Sequence, residues 1–213
     1  MTTLPARILL NEHHGSHFFA DANDSFGSLH SFSNEELLAS KEKHFQVLGN
    51  KTLIVIPITG DLIYRVDESR EEELVVGQIQ IFNFPNNFGI QVLNPFDDEA
   101  INFIMIIIDG TSRNRRTTIE TLDFELPVAS ARITTIYEAD LFELSIGQFQ
   151  GREEAIHQIN GKGCFYYVLS GAFEIQERLL HAKDGLALWD LAETEIEALS
   201  NNAVLLALDL NYI

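Results

Sequence analysis

The chain has 213 residues, of which 46% are apolar and 22% are charged, an ordinary globular composition that excludes global disorder. This length accommodates either one large β domain or two domains of roughly 100 residues each. Acidic residues outnumber basic residues by 32 to 14, and the net charge of -18 predicts that neither nucleic acid nor an anionic membrane is a partner.

The predicted elements, taken along the chain, are almost all strands. The first is the exception, because Asn34–Lys43 has helical character, with Asn34 as the N-cap and two glutamates in the first turn. The strands that follow are short, rich in β-branched residues and separated by turns. They are Thr52–Ile58, Leu62–Val66, Ile79–Phe84, Ile101–Ile108, Cys164–Leu169, Phe173–Gln176, Gly185–Leu188, Thr194–Leu199 and Val204–Leu208. The pattern predicts an all-β sandwich or barrel.

A faint internal repeat divides the chain. Gly60 and Gly171, each between two strands, lie 111 positions apart, and each half closes on an apolar strand that ends in an aspartate, Asp109 or Asp209. Two copies of a β unit of about 100 residues are therefore predicted. We place the first domain at residues 1–118 and the second at 119–213, with the boundary in a polar segment.

Four segments of the chain together form a recognisable pattern. They are Phe19-Ala20-Asp21 with Phe26-Gly27-Ser28-Leu29, then Leu53–Tyr64, then Val92-Leu93-Asn94-Pro95, and finally Asp184–Asp209. These segments resemble stretches typical of the pirin family, which includes the bacterial pirin-like quercetin 2,3-dioxygenases, and the last segment is the most specific. The resemblance implies a bicupin, in which two double-stranded β-helix barrels of jelly-roll type pack against each other. Fold alone does not imply activity.

The family resemblance also implies one iron-type metal in the first barrel, held by a His-x-His pair and a later His-x-Glu pair. Alternate residues of a strand point the same way, so both members of each pair would face the barrel interior. Here the first pair falls on Gln46 and Leu48, or on Val47 and Gly49 in a shifted register, and the second falls on Ile90 and Val92. Apolar side chains donate no lone pair, so we predict a pocket without metal at Gln46, Leu48, Ile90 and Val92. A rearranged site that uses His44 and Gln91 is the alternative.

Other candidate ligands are weaker. His14 and His17 have helical spacing, but Gly15 and Ser16 between them favour a turn. His157 and His181 each lack a histidine or carboxylate at i+2, so we predict no metal in the second barrel. Cys164 lies in an apolar strand and is interpreted as a core thiol. Trp189 is expected to pack at a barrel rim.

The favoured function is a pirin-like bicupin that has no catalytic residues and no cofactor, and that binds a small molecule in the N-terminal barrel or a protein partner. The alternative is a quercetin 2,3-dioxygenase-type enzyme with a rearranged metal site. The sequence is consistent with either a monomer or a dimer.

The remaining features concern location and charge. A single cysteine forms no internal disulfide, and neither a secretory signal nor an apolar run long enough for a membrane helix is evident, so a cytoplasmic protein is expected. The basic run Arg113-Asn114-Arg115-Arg116 is interpreted as a solvated linker.

Overall fold

The computed structural model describes residues 5–19, 24–67, 69–110, 116–126 and 131–211. These residues form strands, apart from one helix of a single turn, α1 (Asn11–His14), so the all-β prediction is confirmed. The strands of the first half are β1 (Ala6–Leu9), β2 (His17–Phe18), β3 (Leu29–Leu37), β4 (Glu42–Val47), β5 (Lys51–Thr59), β6 (Leu62–Val66), β7 (Glu72–Leu74), β8 (Gln78–Phe84), β9 (Phe88–Leu93), β10 (Ile101–Asp109) and β11 (Thr118–Asp123).

The strands of the second half follow in chain order. They are β12 (Thr134–Ala139), β13 (Phe142–Phe149), β14 (Glu154–Gln158), β15 (Gly163–Ser170), β16 (Ala172–Ile175), β17 (Arg178–His181), β18 (Gly185–Trp189), β19 (Glu193–Ala198) and β20 (Ala203–Leu210). The described residues contain no helix that is both long enough and apolar enough to cross a membrane.

The chain divides into two compact units. The N-terminal barrel comprises residues 29–125, and the C-terminal barrel comprises residues 126–211 together with 5–18 and 26–28. The predicted boundary at 118/119 therefore moves to 125/126, because β11 completes a sheet of the N-terminal barrel. The N-terminal residues also change domain, because β1 pairs with β18 of the C-terminal barrel. Pairing between such remote segments leaves no local signal in a sequence.

The N-terminal barrel is built from two antiparallel sheets that enclose one core. One sheet has the strand order β11-β8-β5-β10-β3, and the other has the order β4-β9-β6-β7. Apolar side chains from both sheets fill the space between them, among them Leu53, Val55, Phe82, Phe103 and Met105 from the first, each at most 3% exposed. This core positions the inner face of β4 and β9, where the family resemblance places the metal ligands.

The C-terminal barrel repeats this topology. Its sheets have the orders β1-β18-β15-β20-β13-β12 and β14-β19-β16-β17. Strand for strand, β13, β15, β18 and β20 take the places of β3, β5, β8 and β10, and the N-terminal strand β1 takes the outer place that β11 holds in the N-terminal barrel.

The predicted internal repeat is therefore visible in the strand order, and its two glycines have the same role. Gly60 (φ +73°) and Gly171 (φ +81°) both lie in left-handed backbone between paired strands. A Cβ on Gly60 would lie 2.8 Å from Ile101, the first residue of β10. A Cβ on Gly171 would lie 2.8 Å from Ala203, the first residue of β20. Both hairpins thus need a residue without a side chain.

The predicted helix at Asn34–Lys43 is wrong. Asn34 lies inside β3, and a turn at Ser40 (φ +54°) leads into β4. The acidic residues that resembled a first helical turn alternate instead, so that Glu35 and Leu37 are buried while Glu36 is exposed. Pairing with β10 decided the conformation, since propensity is a weak prior that tertiary contacts override.

All nine predicted strands lie on observed strands, with ends that agree within about two residues. Ile54 and Ile106, the predicted core residues, are both fully buried and are direct cross-strand partners. Of the strands that were not predicted, β4 and β14 alternate polar and half-buried residues and lie at sheet edges. Edge strands bury less surface and therefore leave a weaker pattern.

Candidate functional site

The inner face of the N-terminal barrel at β4 and β9 is largely apolar. Ile90 and Val92 of β9 are 1% and 0% exposed and belong to the barrel core, as predicted. On β4 the residues that share this face are Phe45 and Val47, because Phe45 pairs with Ile90 across the strands. Val47 is 1% exposed, and the Phe45 ring meets Phe103 edge to face with 6.3 Å between centroids.

The other two predicted pocket residues lie outside. Gln46 pairs with Gly89 on the outer face of the sheet and is exposed, and Leu48 follows β4 with 66% exposure. Their predicted interior position is wrong by one residue, which is sufficient to turn each side chain to the opposite face of a strand. Within β4 the alternation of His44 and Gln46 with Phe45 and Val47 is the sequence signal that gives the observed register.

An ion pair lies beside this apolar face. Glu35 is opposite Phe103 in the strand pairing, and its side chain is only 6% exposed. The Lys43 ammonium, on the same face of β4 as Phe45, donates to Glu35 Oε2 at 2.7 Å and lies 5.2 Å from the centre of the Phe45 ring. The Glu35 carboxylate is thus already paired with the Lys43 ammonium. Glu35 was missed from the sequence because it had been assigned to a helix.

Tyr64 of β6 is a tyrosine in the core of the same barrel. Its ring packs edge to face on Phe82, with centroids 5.2 Å apart. Burial, followed by the negative charge of Glu72, raises the pKa of Tyr64 above its usual value of 10.0. The hydroxyl therefore stays neutral at physiological pH and is a weak ligand for a cation.

The alternative ligands His44 and Gln91 are cross-strand partners on the outer face of the sheet. Together with Gln46, Asp67 and Arg65 they line an open surface groove of about 430 Å³. Gln91 Oε1 already accepts a hydrogen bond from Arg65 Nε at 3.1 Å, and the Arg65 guanidinium opposes any cation there. The structure brings these two residues together, but on the outer face of the sheet and beside a positive charge.

A turn at Gly15 and Ser16 separates His14 from His17, as predicted. Gly15 (φ +58°) ends α1 by donating its N–H to Asn11 O at 2.7 Å, so His17 lies beyond the helix. His13 is largely exposed, and His17 Nδ1 contacts Gly15 O at 2.9 Å. Of the basic run, only Arg116 lies within the described residues, and it is exposed.

The C-terminal barrel holds a grouping that the sequence reasoning missed. His157, Cys164 and Asp209 each place one donor atom within 4.8 Å of the others, and no other such group of three occurs among the described residues. His181, by contrast, is exposed on β17. Cys164 is fully buried, as predicted for a core thiol, and Trp189 ends β18 with its ring 6.0 Å from that of Phe26. Chain distance concealed the grouping, since Cys164 and Asp209 become neighbours only through the pairing of β15 with β20.

Comparison with known proteins supports this architecture. The family model for the quercetinase C-terminal cupin domain matches residues 138–210. No curated protein matches the sequence significantly. Among solved structures, the bacterial pirin YhhW from Escherichia coli, crystallised with nickel(II), is 18% identical with a TM-score of 0.80, and the match covers 98% of this chain and 100% of that one.

A quercetin 2,3-dioxygenase from Acinetobacter baumannii is 13% identical with a TM-score of 0.75, and the match covers 98% of this chain and 78% of that one. The protein YhaK from Escherichia coli is 15% identical with a TM-score of 0.74, over 97% and 93% of the two chains. At these identities the structural likeness establishes the fold. The chain therefore has the fold of the bacterial pirin and quercetin 2,3-dioxygenase structures, and its residues 138–210 match the quercetinase C-terminal cupin domain.

Proposed function

We propose that this protein is a non-catalytic pirin-like bicupin that acts by binding a protein partner, and that its N-terminal barrel does not hold the family's metal. The observation that carries the proposal is the inner face of β4 and β9, where Phe45, Val47, Ile90 and Val92 occupy the inward positions. A divalent cation there would lose its hydration without replacement ligands. The Lys43 ammonium, paired with Glu35, adds repulsion.

The same packing argues against a small molecule inside the N-terminal barrel. Core side chains at the inner face, such as Val92, Phe82 and Phe103, are fully buried, so a ligand would have to displace them. Protein cores are packed as densely as organic crystals, and opening them costs free energy. Binding at the outer surface needs no such rearrangement.

The outer face of β14, β19 and β16 is the surface that charge favours for a partner. Five glutamates line an open groove of about 470 Å³ around Ile156, which is 63% exposed: Glu154, Glu174, Glu177, Glu195 and Glu197. An exposed isoleucine within a ring of carboxylates suits a partner segment that has one apolar residue flanked by lysine or arginine.

Catalysis is tested by oxygen uptake. Purified protein is incubated with quercetin and with Fe²⁺, Ni²⁺ or Mn²⁺ in turn, beside a quercetin dioxygenase as positive control. We expect no turnover with any metal. Oxygen consumption that is proportional to protein concentration would overturn the proposal in favour of the dioxygenase alternative.

The metal-free barrel is tested by restoring ligands in two registers. The variant Phe45→His/Val47→His/Ile90→His/Val92→Glu uses the observed inward positions, and Gln46→His/Leu48→His/Ile90→His/Val92→Glu is the matched control. Titration calorimetry with Ni²⁺ should detect one more binding site in the first variant than in the control. Any Ni²⁺ binding elsewhere in the chain is common to both variants and does not affect this difference. Equal binding by the two folded variants would contradict the inward register.

The acidic face is tested by site-specific photo-crosslinking in a lysate of the protein's own cells. A photoreactive residue replaces Ile156, and the control replaces Leu38, which is similarly exposed at 60%. We expect one reproducible adduct from position 156 only, reduced severalfold by Glu174→Gln/Glu195→Gln/Glu197→Gln and by added salt. Identical adducts from both positions would contradict this binding face.

A further inference from the structure

The C-terminal barrel contains a buried cluster whose geometry resembles an incomplete coordination sphere. Cys164 and Asp209 are direct partners in the pairing of β15 with β20. His157 reaches them from β14 of the facing sheet, and its Nε2 lies 3.4 Å from Asp209 Oδ2. The three donor atoms lie within 4.8 Å of one another, each from a different strand. This cluster is independent of the proposed function, which concerns the N-terminal barrel and the outer acidic face.

The Asp209 carboxylate has an unused acceptor. Its side chain is 3% exposed, and Oδ2 accepts the backbone N–H of Asn160 at 2.9 Å. Oδ1 is buried and has no hydrogen-bond partner. Leaving a buried charged oxygen unpaired is costly, and such a group in a folded protein points to a bound ion or an ordered water.

The His157 ring is oriented by a second layer of contacts. Its Nδ1 lies 2.7 Å from the Tyr166 hydroxyl, which in turn hydrogen-bonds the fully buried Thr194 hydroxyl. When Nδ1 carries the proton and donates it to Tyr166, the Nε2 lone pair faces Asp209. Metal-bound histidines are usually fixed in this way through the nitrogen that does not bind the metal.

The donor set and the spacing both fit a small cation. Zinc binds cysteine sulfur at about 2.3 Å and imidazole nitrogen or carboxylate oxygen at about 2.0 to 2.2 Å, which places tetrahedral donors roughly 3.3 to 3.7 Å apart. The His157–Asp209 distance of 3.4 Å already lies in that range. The other donor distances, at most 4.8 Å, would shorten when an ion binds.

A route from solvent is present. The His157 side chain is 11% exposed and borders an open groove of about 460 Å³, lined also by Thr135, Ser145 and Gln158. Since Cys164 is fully buried, an ion would reach the cluster from the His157 side. Solvent could fill the fourth position from the same side.

We propose that His157, Cys164 and Asp209 bind one divalent first-row cation of the Zn²⁺ or Co²⁺ class in the C-terminal barrel, with Tyr166 as a positioning residue. The metal–sulfur bond forms as the Cys164 thiol releases its proton to solvent. Burial, followed by the charge of Asp209, raises the pKa of the Cys164 thiol in the absence of an ion, and a bound cation reverses that effect. This proposal departs from the sequence-based prediction that the second barrel holds no metal.

Cobalt provides a direct test, because Cys164 is the one cysteine in the chain and any thiolate-to-cobalt charge-transfer band must come from it. Tag-free protein, stripped with a chelator, is titrated with Co²⁺ and followed by absorption. We expect a saturable charge-transfer band at one equivalent, together with ligand-field bands of tetrahedral intensity. No saturable binding, or binding without a charge-transfer band, would overturn the proposal and leave an ordered water at Asp209.

Variants assign the remaining ligands. Cys164→Ser should abolish the charge-transfer band. His157→Gln and Asp209→Asn should each weaken Co²⁺ binding by more than about tenfold, because mutation of a residue that only orients a ligand already weakens metal binding by about tenfold or more. Tyr166→Phe should weaken binding by about tenfold while the band is retained. The control His181→Ala should leave the titration unchanged.

Near-ultraviolet circular dichroism of Trp189 verifies that each variant is folded. If a variant unfolds, the charge-transfer band of the wild-type protein with Co²⁺ still decides the proposal. Unchanged Co²⁺ affinity in folded His157→Gln and Asp209→Asn would exclude these residues as ligands.

Discussion

At the residue scale, two aspartates near the ends of the strands that close the two barrels have opposite surroundings. Asp109 ends β10, half-exposed, where its Oδ1 accepts hydrogen bonds from Lys51 Nζ at 2.6 Å and is 2.9 Å from His30 Nε2. Asp209, one residue before the end of β20, is buried beside Cys164 and His157. In the strand pairing, Lys51 and Cys164 are the respective partners of Asp109 and Asp209. The first aspartate thus belongs to a half-exposed ion pair and the second to a buried candidate ligand cluster.

Asp109 should contribute stability that depends on pH. Partial burial raises its pKa, but the hydrogen bonds from Lys51 and His30 outweigh burial, so the pKa lies below its usual value of 3.8. A carboxyl whose pKa is lowered by folding stabilises the protein above its unfolded pKa and loses that contribution as the pH falls through the folded value. We expect Asp109→Asn to lower the urea midpoint near pH 6, with the difference from wild type closing in acid below about pH 4.

Urea unfolding at several pH values measures this effect. The exposed carboxylate Asp98 provides the matched control, as Asp98→Asn. A gap between wild type and Asp109→Asn that is constant with pH would show that the two hydrogen bonds do not favour the charged form.

At the element scale, β1 is a strand of the C-terminal barrel that arrives from the other end of the sequence. It pairs with β18 over four residues, from Ala6 with Leu188 to Leu9 with Gly185. The turn that follows is tied to the same barrel, since Asp184 accepts the backbone N–H groups of Asn11 and His181, both at 2.9 Å. Residues 5–18 thus belong to the C-terminal barrel.

Leu9→Ala should destabilise the C-terminal barrel by about 2 to 4 kcal/mol, because Leu9 is 1% exposed and truncation leaves a cavity. Ile8→Ala is the control on the same strand, since Ile8 is 46% exposed, and it should cost less than about 1 kcal/mol. Fluorescence of Trp189, the single tryptophan, reports unfolding of this barrel. Equal losses in the two variants would contradict the docking of β1.

The central strand β10 allows a similar comparison in the N-terminal barrel. Ile106→Asn should cost at least about 2 kcal/mol, because Ile106 is fully buried and the amide would lack partners. Ile119→Asn on the outer strand β11, where Ile119 is 49% exposed, should cost much less. Thermal unfolding followed by far-ultraviolet circular dichroism measures both, and similar midpoints for the two would contradict the burial of β10.

At the scale of the whole molecule, the charge of -18 is a source of self-repulsion. Part of it is concentrated in the five-glutamate groove of the C-terminal barrel. Salt screens such repulsion, and the screening length falls from about 30 Å at 0.01 M to about 8 Å at 0.15 M. Stability and partner binding should therefore respond to salt in opposite directions.

We expect the thermal midpoint to rise when NaCl is increased from about 0.01 M to about 0.15 M, since screening relieves repulsion in the folded state. The variant Glu174→Gln/Glu195→Gln/Glu197→Gln, which has three fewer negative charges, should have a higher midpoint at low salt and a smaller salt dependence. Differential scanning calorimetry measures both, and a midpoint that falls with salt in the wild type would contradict net repulsion.

The sequence by itself determined the β class, nine of the strands and the repeat, because most of those strands are continuous apolar runs and the paired glycines mark obligatory turns. It did not determine the edge strands or the conformation of Asn34–Lys43, where local preference and pairing conflict. It also did not determine the inward register of β4, since one residue of offset exchanges Phe45 and Val47 for Gln46 and Leu48.

Only the tertiary structure decided that β1 joins the C-terminal barrel and that His157, Cys164 and Asp209 meet. Both depend on pairing between segments that are remote in the chain. The interactions that enforce such pairing act through space, so no local pattern in the sequence records them.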